Sequence, residues 1–353
     1  MRTNWFEWRY ATLDDRAACR ALIEQGSKSF YAASLLLPSD MRMPTYAVYA
    51  FCRIADDAVD DEDASRTATT RLRERLQAVY AGQPEDHPCD RALADVVMMY
   101  NLPRALFEAL IEGLEWDQAG RSYDTIEELH AYAARVASAV GTIMTCVMGR
   151  KSATTLARAC DLGVAMQLTN IARDVGEDAR NGRVYLPRRW LRDAGLDAEE
   201  LIAKPQMSPE LATVVKRLLC HADELYEQSL LGIADLPVRC RPAINSARRI
   251  YAAIGDQIAA NGYDAINRRA YVPTYQKVIL AVAATLEAYL TRSREATTQM
   301  DETRFLVNAV VDHKVESKTP LDDAETPMEW IFTMVELLEE RERQSRHSIK
   351  QSN

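Results

Sequence analysis

Two pairs of aspartates, each set on a predicted helix, are the residues of this sequence best suited to chemistry. The first pair lies in the run Tyr-Ala-Phe-Cys-Arg-Ile-Ala-Asp-Asp-Ala-Val-Asp over residues 49–60. Positions 49, 53, 56 and 60 are spaced by four, three and four residues, so they share one helix face. That polar face consists of Tyr49, Arg53, Asp56 and Asp60. A rival pair, Asp57 and Asp61, lies about 100° around the helix and lacks the aligned tyrosine and arginine.

The second stripe lies in the run Gln-Leu-Thr-Asn-Ile-Ala-Arg-Asp-Val-Gly-Glu-Asp over residues 167–178. Positions 167, 170, 174 and 178 again share one helix face. They are Gln167, Asn170, Asp174 and Asp178. The helix is otherwise apolar before Arg173, so both amides fall where burial is expected, and buried amides need hydrogen-bond partners. The pattern indicates one wall of a polar site.

Carboxylates one helical turn apart repel each other, so each pair is unfavourable unless a cation lies beside it. Carboxylate oxygens suit Mg²⁺, which keeps several waters and shares its protein ligands with substrate phosphates. One such pair is usually an ordinary solvated face, but two pairs that each end an apolar helix favour metal binding. The sequence therefore predicts a Mg²⁺ site, with Mn²⁺ as a substitute, that holds a diphosphate between two helices.

Two shorter segments are suited to the same anion. Residues 26–31 form a non-periodic stretch in which Ser27, Lys28 and Ser29 offer hydroxyls and a cation to phosphate oxygens. Arg183 follows the second stripe at once and is placed to return to the same site. The sequence contains no Walker loop, dinucleotide-binding glycine fingerprint or His-Glu-x-x-His motif.

The elements that must position these residues are helices. Apolar residues recur at three- and four-residue spacing through most of the chain, and no alternating strand pattern competes. Glycine and proline number only 13 each in 353 residues, and 48% of residues are hydrophobic. We therefore predict an all-α protein with a single large helical bundle.

Charge and cysteine usage narrow the functional classes. The formal net charge of −9 argues against a nucleic-acid partner, and an acidic protein binds a polyanion through a metal. Seven scattered cysteines without a Cys-x-x-Cys pair predict reduced thiols and a cytoplasmic location. Neither a signal peptide nor an uncharged apolar run of membrane-spanning length is present in the sequence.

Composition divides the chain into a helical domain at 1–298, a polar linker at 299–325 and a C-terminal amphipathic helix with its tail at 326–353. The apolar stripe of the last segment consists of Trp330, Ile331, Met334, Leu337 and Leu338. We expect it to dock on the main body, with peripheral membrane contact as the alternative; its glutamates disfavour anionic lipid. No obligate protein partner is evident.

Four motifs in order resemble the squalene and phytoene synthase family, the head-to-head trans-isoprenyl diphosphate synthases. They are Gly-Ser-Lys-Ser-Phe at 26–30, the acidic runs at 49–60 and 167–178, and Gly-Arg-Val-Tyr-Leu-Pro at 182–187. The resemblance covers about residues 27–272 and is strongest to bacterial phytoene synthases. It implies the isoprenoid synthase type of helical bundle, with a central active-site cavity. Members of this family often carry His at the position of Gly26.

The resemblance also implies a role for each matching residue. The metal-binding residues would be Asp56, Asp60, Asn170, Asp174 and Asp178. The residues contacting diphosphate or lining its site would be Ser27, Lys28, Ser29, Arg53, Gln167, Arg183 and Arg269. The aromatic residues facing the reacting cation would be Phe30, Tyr49 and Tyr251.

The implied reaction joins two geranylgeranyl diphosphates through prephytoene diphosphate to phytoene, a step of carotenoid biosynthesis that depends on Mg²⁺ and uses no reductant. The alternative within the family is a squalene, dehydrosqualene or presqualene diphosphate synthase that uses farnesyl diphosphate. A catalytically silent assembly subunit is a further alternative, which the two intact aspartate pairs disfavour. The implied partners are isoprenoid diphosphates.

Overall fold

The computed structural model describes residues 8–60, 65–291 and 299–313, together with the side chains of these residues except 60, 65 and 66. The described residues form fifteen α-helices and no β-strand, as the periodicity predicts. In chain order the helices are α1 (Leu13–Gly26), α2 (Lys28–Ser34), α3 (Ser39–Asp60), α4 (Ser65–Tyr80), α5 (Pro88–Tyr100), α6 (Arg104–Gln118), α7 (Ile126–Ala133), α8 (Ala139–Val147), α9 (Ala153–Arg180), α10 (Arg188–Asp193), α11 (Ala198–Ala203), α12 (Pro209–Ile233), α13 (Arg241–Ala260), α14 (Thr274–Leu290) and α15 (Arg304–Val311).

Side-chain caps fix where several of these helices begin. Thr12 and Asp15 form a reciprocal capping box at α1. Ser152 accepts a hydrogen bond from the Thr155 amide at the start of α9, the longest helix. These caps satisfy amide groups that have no partner within the helix, and the cap at Ser152 fixes where α9, which carries the second acidic stripe, begins.

Residues 126–147 do not form one regular α-helix. Residues Ala134–Ser138 form a π-helical turn that joins α7 to α8. Such a turn accommodates one extra residue, so side chains after it are rotated relative to a regular helix. Val136 and Ala137, within this turn, line the cavity described below.

Helix α9 lies at the centre of the bundle and packs chiefly against α12, with α8 and α13 also in contact. One buried apolar cluster joins α1 and α3–α6 to α8, and a second joins α9 to α7, α12 and α13. Because α9 spans about 42 Å at 1.5 Å per residue, one face of it reaches through the bundle.

The structure describes only part of the region in which a polar linker and a C-terminal helix are predicted. Within the predicted linker 299–325, Asp301–Thr303 form a 3₁₀ turn and α15 follows, burying Leu306, Val307 and Val310. The eight residues of α15 form a helix within the predicted linker because three of their apolar side chains pack into the core. The remainder of the linker and the segment 326–353 lie outside the described residues, so the C-terminal amphipathic helix stays a prediction.

All seven cysteines are unpaired in the structure, as predicted. Six are buried or half-buried and Cys220 is exposed. Among the described residues, no helix has the length and hydropathy needed to cross a membrane.

Candidate active site

The two predicted stripes line one cavity of about 1310 Å³ between the helices. One face of α9 supplies a continuous wall of this cavity. It consists of Thr155, Arg158, Ala159, Leu162, Gly163, Met166, Gln167, Asn170, Arg173, Asp174, Glu177, Asp178 and Arg180. From Asp174 back to Arg158 the wall extends about 24 Å along the helix axis. The cavity therefore has an acidic end at the C-terminus of α9 and a largely apolar interior.

Asp174 is the most closely held carboxylate of the second stripe. Arg173 donates to it in bidentate fashion, through Nε at 2.9 Å and Nη2 at 2.5 Å. Arg269 donates from Nε to the same carboxylate at 2.9 Å and approaches Glu177 at 3.4 Å. Arg269, which the resemblance implies contacts diphosphate, therefore lies beside the acidic stripe.

Asp178 lies one turn further along α9 and is largely buried. Burial, and after it the negative charges of Asp174 and Glu177, raise the pKa of its carboxyl to about 7, while Arg183 acts in the opposite direction. A carboxyl in this environment gains much from a nearby cation. Arg183, predicted to return to the site, does line the cavity.

The first stripe faces the same acidic end from α3. Arg53 pairs with Asp57 at 2.6 Å and approaches Asp56 at 3.5 Å. Asp56 lines the cavity together with Tyr49 and Arg53, whereas Asp57 is not among the lining residues, so the choice of Asp56 over its neighbour stays a prediction. Asp60 ends α3, and because its side chain lies outside those described, its role stays a prediction.

Aromatic rings lie beside the acidic end. Phe30 lies 5.2 Å from the ring of Tyr251 and 6.5 Å from that of Tyr49. Phe30 and Tyr49 line the cavity, while Tyr251 packs behind Phe30 and is buried. A Cβ atom added to Gly26 would come 2.5 Å from the Tyr49 hydroxyl, so glycine at this position leaves room for the observed tyrosine orientation.

The serine–lysine segment does not form a loop. Ser27 caps α2, its Oγ accepting from the Phe30 amide at 3.3 Å, and Lys28 and Ser29 form the first turn of that helix. These three residues lie outside the lining of the cavity. Lys277 Nζ, on α14, donates to Ser29 Oγ at 2.9 Å, so two lysines and two hydroxyls converge near Phe30. The sequence did not single out Lys277.

A second residue that sequence reasoning missed is Asp117, at the end of α6. It lines the cavity and accepts hydrogen bonds from the hydroxyls of Tyr132 at 2.7 Å and Tyr185 at 2.8 Å. Its charge adds to those that raise the pKa of Asp178. The sequence feature that could have led to Asp117 is its partner Tyr185, which lies in the Gly-Arg-Val-Tyr-Leu-Pro motif.

The donor set fits a hard divalent cation. Asp56, Asn170, Asp174 and Asp178 offer only oxygen and amide groups around one end of the cavity. Within the described residues, no three carboxylate, histidine or cysteine side chains converge closely enough to hold an ion alone. Such an arrangement suits Mg²⁺, which takes its remaining ligands from waters and phosphates.

A close approach of a loop to α9 places Arg269. The Gly176 amide donates to the Ala265 carbonyl at 3.0 Å. A Cβ atom at this glycine would lie 2.8 Å from Ile266 Cα and 2.9 Å from the Ala265 oxygen. Since both neighbours are main-chain atoms, only glycine lets the loop that carries Arg269 reach Asp174.

We expect Gly176→Val to lower kcat by about 100-fold, because displacing a positioning group by about 1 Å has an effect of that size. Steady-state kinetics with circular dichroism checks this. Gly255→Ala is the matched control, since its added Cβ meets only Leu219 Cδ2, at 3.4 Å. A Gly176→Val enzyme with wild-type kcat would show that the loop contact does not position the site.

Comparisons with known proteins agree with this geometry. A model of the squalene/phytoene synthase family matches residues 23–276. A phytoene synthase of Cereibacter sphaeroides is 52% identical over 285 residues, which cover 78% of this chain and 80% of the relative. A 15-cis-phytoene synthase of a Paracoccus species is 42% identical over 70% of this chain and 83% of its own length.

Solved structures show the same fold. A dehydrosqualene synthase crystallised with a ligand superposes with a TM-score of 0.71 at 33% identity, covering 78% of this chain and 96% of that protein. The predictions of an isoprenoid synthase bundle and of the family are thereby confirmed. This chain belongs to the squalene/phytoene synthase family.

Proposed function

We propose that this chain condenses two geranylgeranyl diphosphates head to head, through prephytoene diphosphate, to 15-cis-phytoene. The observation that carries the proposal is the cavity, in which an acidic end with guanidinium groups opens into a long, largely apolar chamber. Its volume exceeds the roughly 300–1,000 Å³ of ordinary ligand pockets, as two long hydrocarbon chains require. The high identity to proteins named phytoene synthase supports the same reaction.

The groups that would hold Mg²⁺ are Asp56, Asp60, Asn170, Asp174 and Asp178. When bound, the ion supplies positive charge that neutralises the leaving diphosphate. Arg53, Arg183 and Arg269 would bind diphosphate oxygens in the same region, with Gln167 beside them. Arg269 now donates to Asp174, and a bound diphosphate offers it an alternative anionic acceptor.

The remaining chemistry depends on shielding and orientation. Departure of the first diphosphate leaves an allylic cation, which the double bond of the second substrate attacks, and proton loss closes a cyclopropane. Departure of the second diphosphate, rearrangement and a further proton loss give the C40 hydrocarbon with its central conjugated triene. Phe30 and Tyr49 face this region, and aromatic faces stabilise cations. The apolar walls exclude water, which would otherwise capture the cations.

The farnesyl-dependent reaction is the second candidate, because the solved dehydrosqualene synthase shares this fold at 33% identity. Both reactions use the same acidic end and differ in the length of the chains that the chamber accepts. We further infer a cytoplasmic location, since all seven cysteines are unpaired.

Product analysis separates these candidates. Purified protein is given Mg²⁺ with geranylgeranyl diphosphate, farnesyl diphosphate or an equal mixture, without a nicotinamide cofactor. We expect a C40 hydrocarbon from the first substrate and from the mixture. A C30 product dominating in the mixture would assign the farnesyl reaction instead. The absence of a hydrocarbon, of a cyclopropyl diphosphate and of released inorganic diphosphate with either substrate would contradict catalysis altogether.

A further inference from the structure

A buried ion pair lies at the end of the cavity that is remote from the two acidic stripes. Arg158 Nε lies 3.0 Å from the Asp161 carboxylate, one turn along α9, and the two side chains have exposed fractions of 0% and 1%. Arg158 lines the cavity, sixteen residues before Asp174. An ion pair is an unusual wall for a chamber that holds hydrocarbon, because charges are costly to bury. The proposed reaction uses neither residue.

The open face of α9 ends at this pair. Met166, Leu162 and Ala159 line the cavity and are half-buried, so part of each side chain is open to the chamber. The next two lining residues toward the start of the helix, Arg158 and Thr155, are buried. A side chain that lines a cavity without accessible surface leaves no room beside it for a water molecule. The chamber therefore closes against Arg158.

Helix α12 holds the stem of Arg158 in place. A Cβ atom added to Gly232 would lie 2.3 Å from Arg158 Cβ and 3.1 Å from its Cγ. Only glycine at this position lets α12 pack directly on the stem, and Gly232 itself lines the cavity. With its stem confined by α12 and its guanidinium beside Asp161, Arg158 forms a fixed wall.

Charge makes this wall harder to displace than an apolar one. Burial raises the pKa of Asp161 to about 7, while the charge of Arg158 acts in the opposite direction. Moving Arg158 aside would separate a buried carboxylate from its cation, which is strongly destabilising. Apolar side chains, by contrast, repack around added bulk at modest cost. A chain end that reaches Arg158 is therefore excluded, where an apolar wall would yield.

The distance from the acidic end to this wall matches one chain length. Arg158 lies about 24 Å from Asp174 along the axis of α9. The main chain of a geranylgeranyl group has about sixteen carbons and spans about 20 Å when extended, since its zigzag bonds are about 1.5 Å long. The diphosphate and its metal would occupy the remaining space. One further isoprene unit would carry the chain end into Arg158.

We propose that the Arg158–Asp161 pair is the floor of the substrate chamber and sets its upper limit on chain length. It admits geranylgeranyl diphosphate and excludes geranylfarnesyl diphosphate, which is one isoprene unit longer. The inference rests on the proposed function, because it takes the diphosphate to be held at the acidic end. Arg158 and Asp161 thereby determine specificity without touching the reacting atoms.

Turnover of these two diphosphates tests the proposal. Wild-type protein with Mg²⁺ should release inorganic diphosphate from the longer substrate at least about tenfold more slowly than from the shorter one. Arg158→Leu with Asp161→Asn shortens the wall and removes both charges together, so that neither is left buried alone. This variant should raise the ratio of kcat/KM for the longer substrate to that for the shorter by about tenfold, because the added isoprene unit then has room.

The matched control makes the same change in a buried pair outside the cavity lining. Arg75 on α4 donates to Asp90 on α5 at 2.7 and 2.9 Å, and these side chains have exposed fractions of 13% and 0%. Arg75→Leu with Asp90→Asn should keep the wild-type ratio. A ratio that rises equally in both double variants would assign the effect to general loosening and overturn the proposal. So would an unchanged ratio in an Arg158→Leu, Asp161→Asn protein whose circular dichroism matches wild type.

Binding separates the limit on chain length from the reaction. Thiolodiphosphate analogues of both substrates, which ionise slowly because sulfur replaces the bridging oxygen, are titrated into wild-type protein with Mg²⁺ in a calorimeter. We expect the geranylgeranyl analogue to bind about tenfold or more tightly than the geranylfarnesyl one. That preference without turnover of geranylgeranyl diphosphate would contradict the proposed function and leave the floor in place. Equal affinities, or no binding of either analogue, would overturn the floor whatever the variants do.

Discussion

Asp174→Asn should lower kcat by at least about 1,000-fold. Asp174 lies where the second stripe, Arg173 and Arg269 meet, so it orders two guanidinium groups and its charge would attract the metal of the proposed site. Loss of several kcal/mol of charge stabilisation accounts for the expected effect, since each 1.36 kcal/mol is a factor of ten in rate. Single-turnover kinetics at saturating Mg²⁺ and substrate measures it.

The matched control is Asp193→Asn, which removes one exposed carboxylate on α10, away from the cavity. It should leave kcat within about twofold, as is usual for a surface change. Thermal unfolding separates catalysis from stability, because asparagine also leaves the Arg173 guanidinium with a weaker partner. Asp174→Asn activity within threefold of wild type would remove this carboxylate from the proposed site.

Ala159→Phe should change the substrate preference of the enzyme. Ala159 lines the cavity fifteen residues before Asp174 on α9, about 22 Å from the acidic end. A phenyl ring there shortens the chamber, and inserting bulk into a filled site costs about 1–3 kcal/mol. We expect kcat/KM for geranylgeranyl diphosphate to fall by about 10- to 100-fold relative to farnesyl diphosphate.

Competition between the two diphosphates, with products separated by length, reads this preference directly. Ala153→Phe is the control, because residue 153 is exposed at the start of the same helix. It should keep the wild-type ratio. If Ala159→Phe lowers kcat/KM equally for both substrates, or leaves the ratio of the two products unchanged, this part of the chamber does not limit chain length.

Helical periodicity accounts for what the sequence predicts well. Asp56 and Asp174 each occur with polar partners at three- and four-residue spacing, so their shared faces follow from local geometry. That both faces line one cavity is a tertiary fact, which the sequence analysis inferred from the need of two repelling carboxylate pairs for a shared cation and from the ordered motifs of a family. Arg269 was likewise predicted from the family resemblance, since the contact that places it joins residues 95 positions apart.

The residues near the site that the sequence analysis did not predict have no local sequence pattern that marks them. Lys277 meets Ser29 across 248 positions, from a helix whose periodicity is ordinary. Asp117 ends an amphipathic helix, where a carboxylate is common and carries no signal of its tyrosine partners. The π-helical turn at Ala134–Ser138 escaped because one inserted residue barely disturbs an apolar repeat, although it rotates everything that follows.

The central claim is that the two acidic stripes act as one site for a metal-bound diphosphate. Electron paramagnetic resonance of Mn²⁺ titrated into the protein, with and without inorganic diphosphate, measures it most directly. We predict that diphosphate strengthens Mn²⁺ binding by at least about tenfold and that Asp56→Asn and Asp174→Asn each abolish this coupling, while Asp193→Asn retains it. Coupling that survives either site substitution would contradict a shared site.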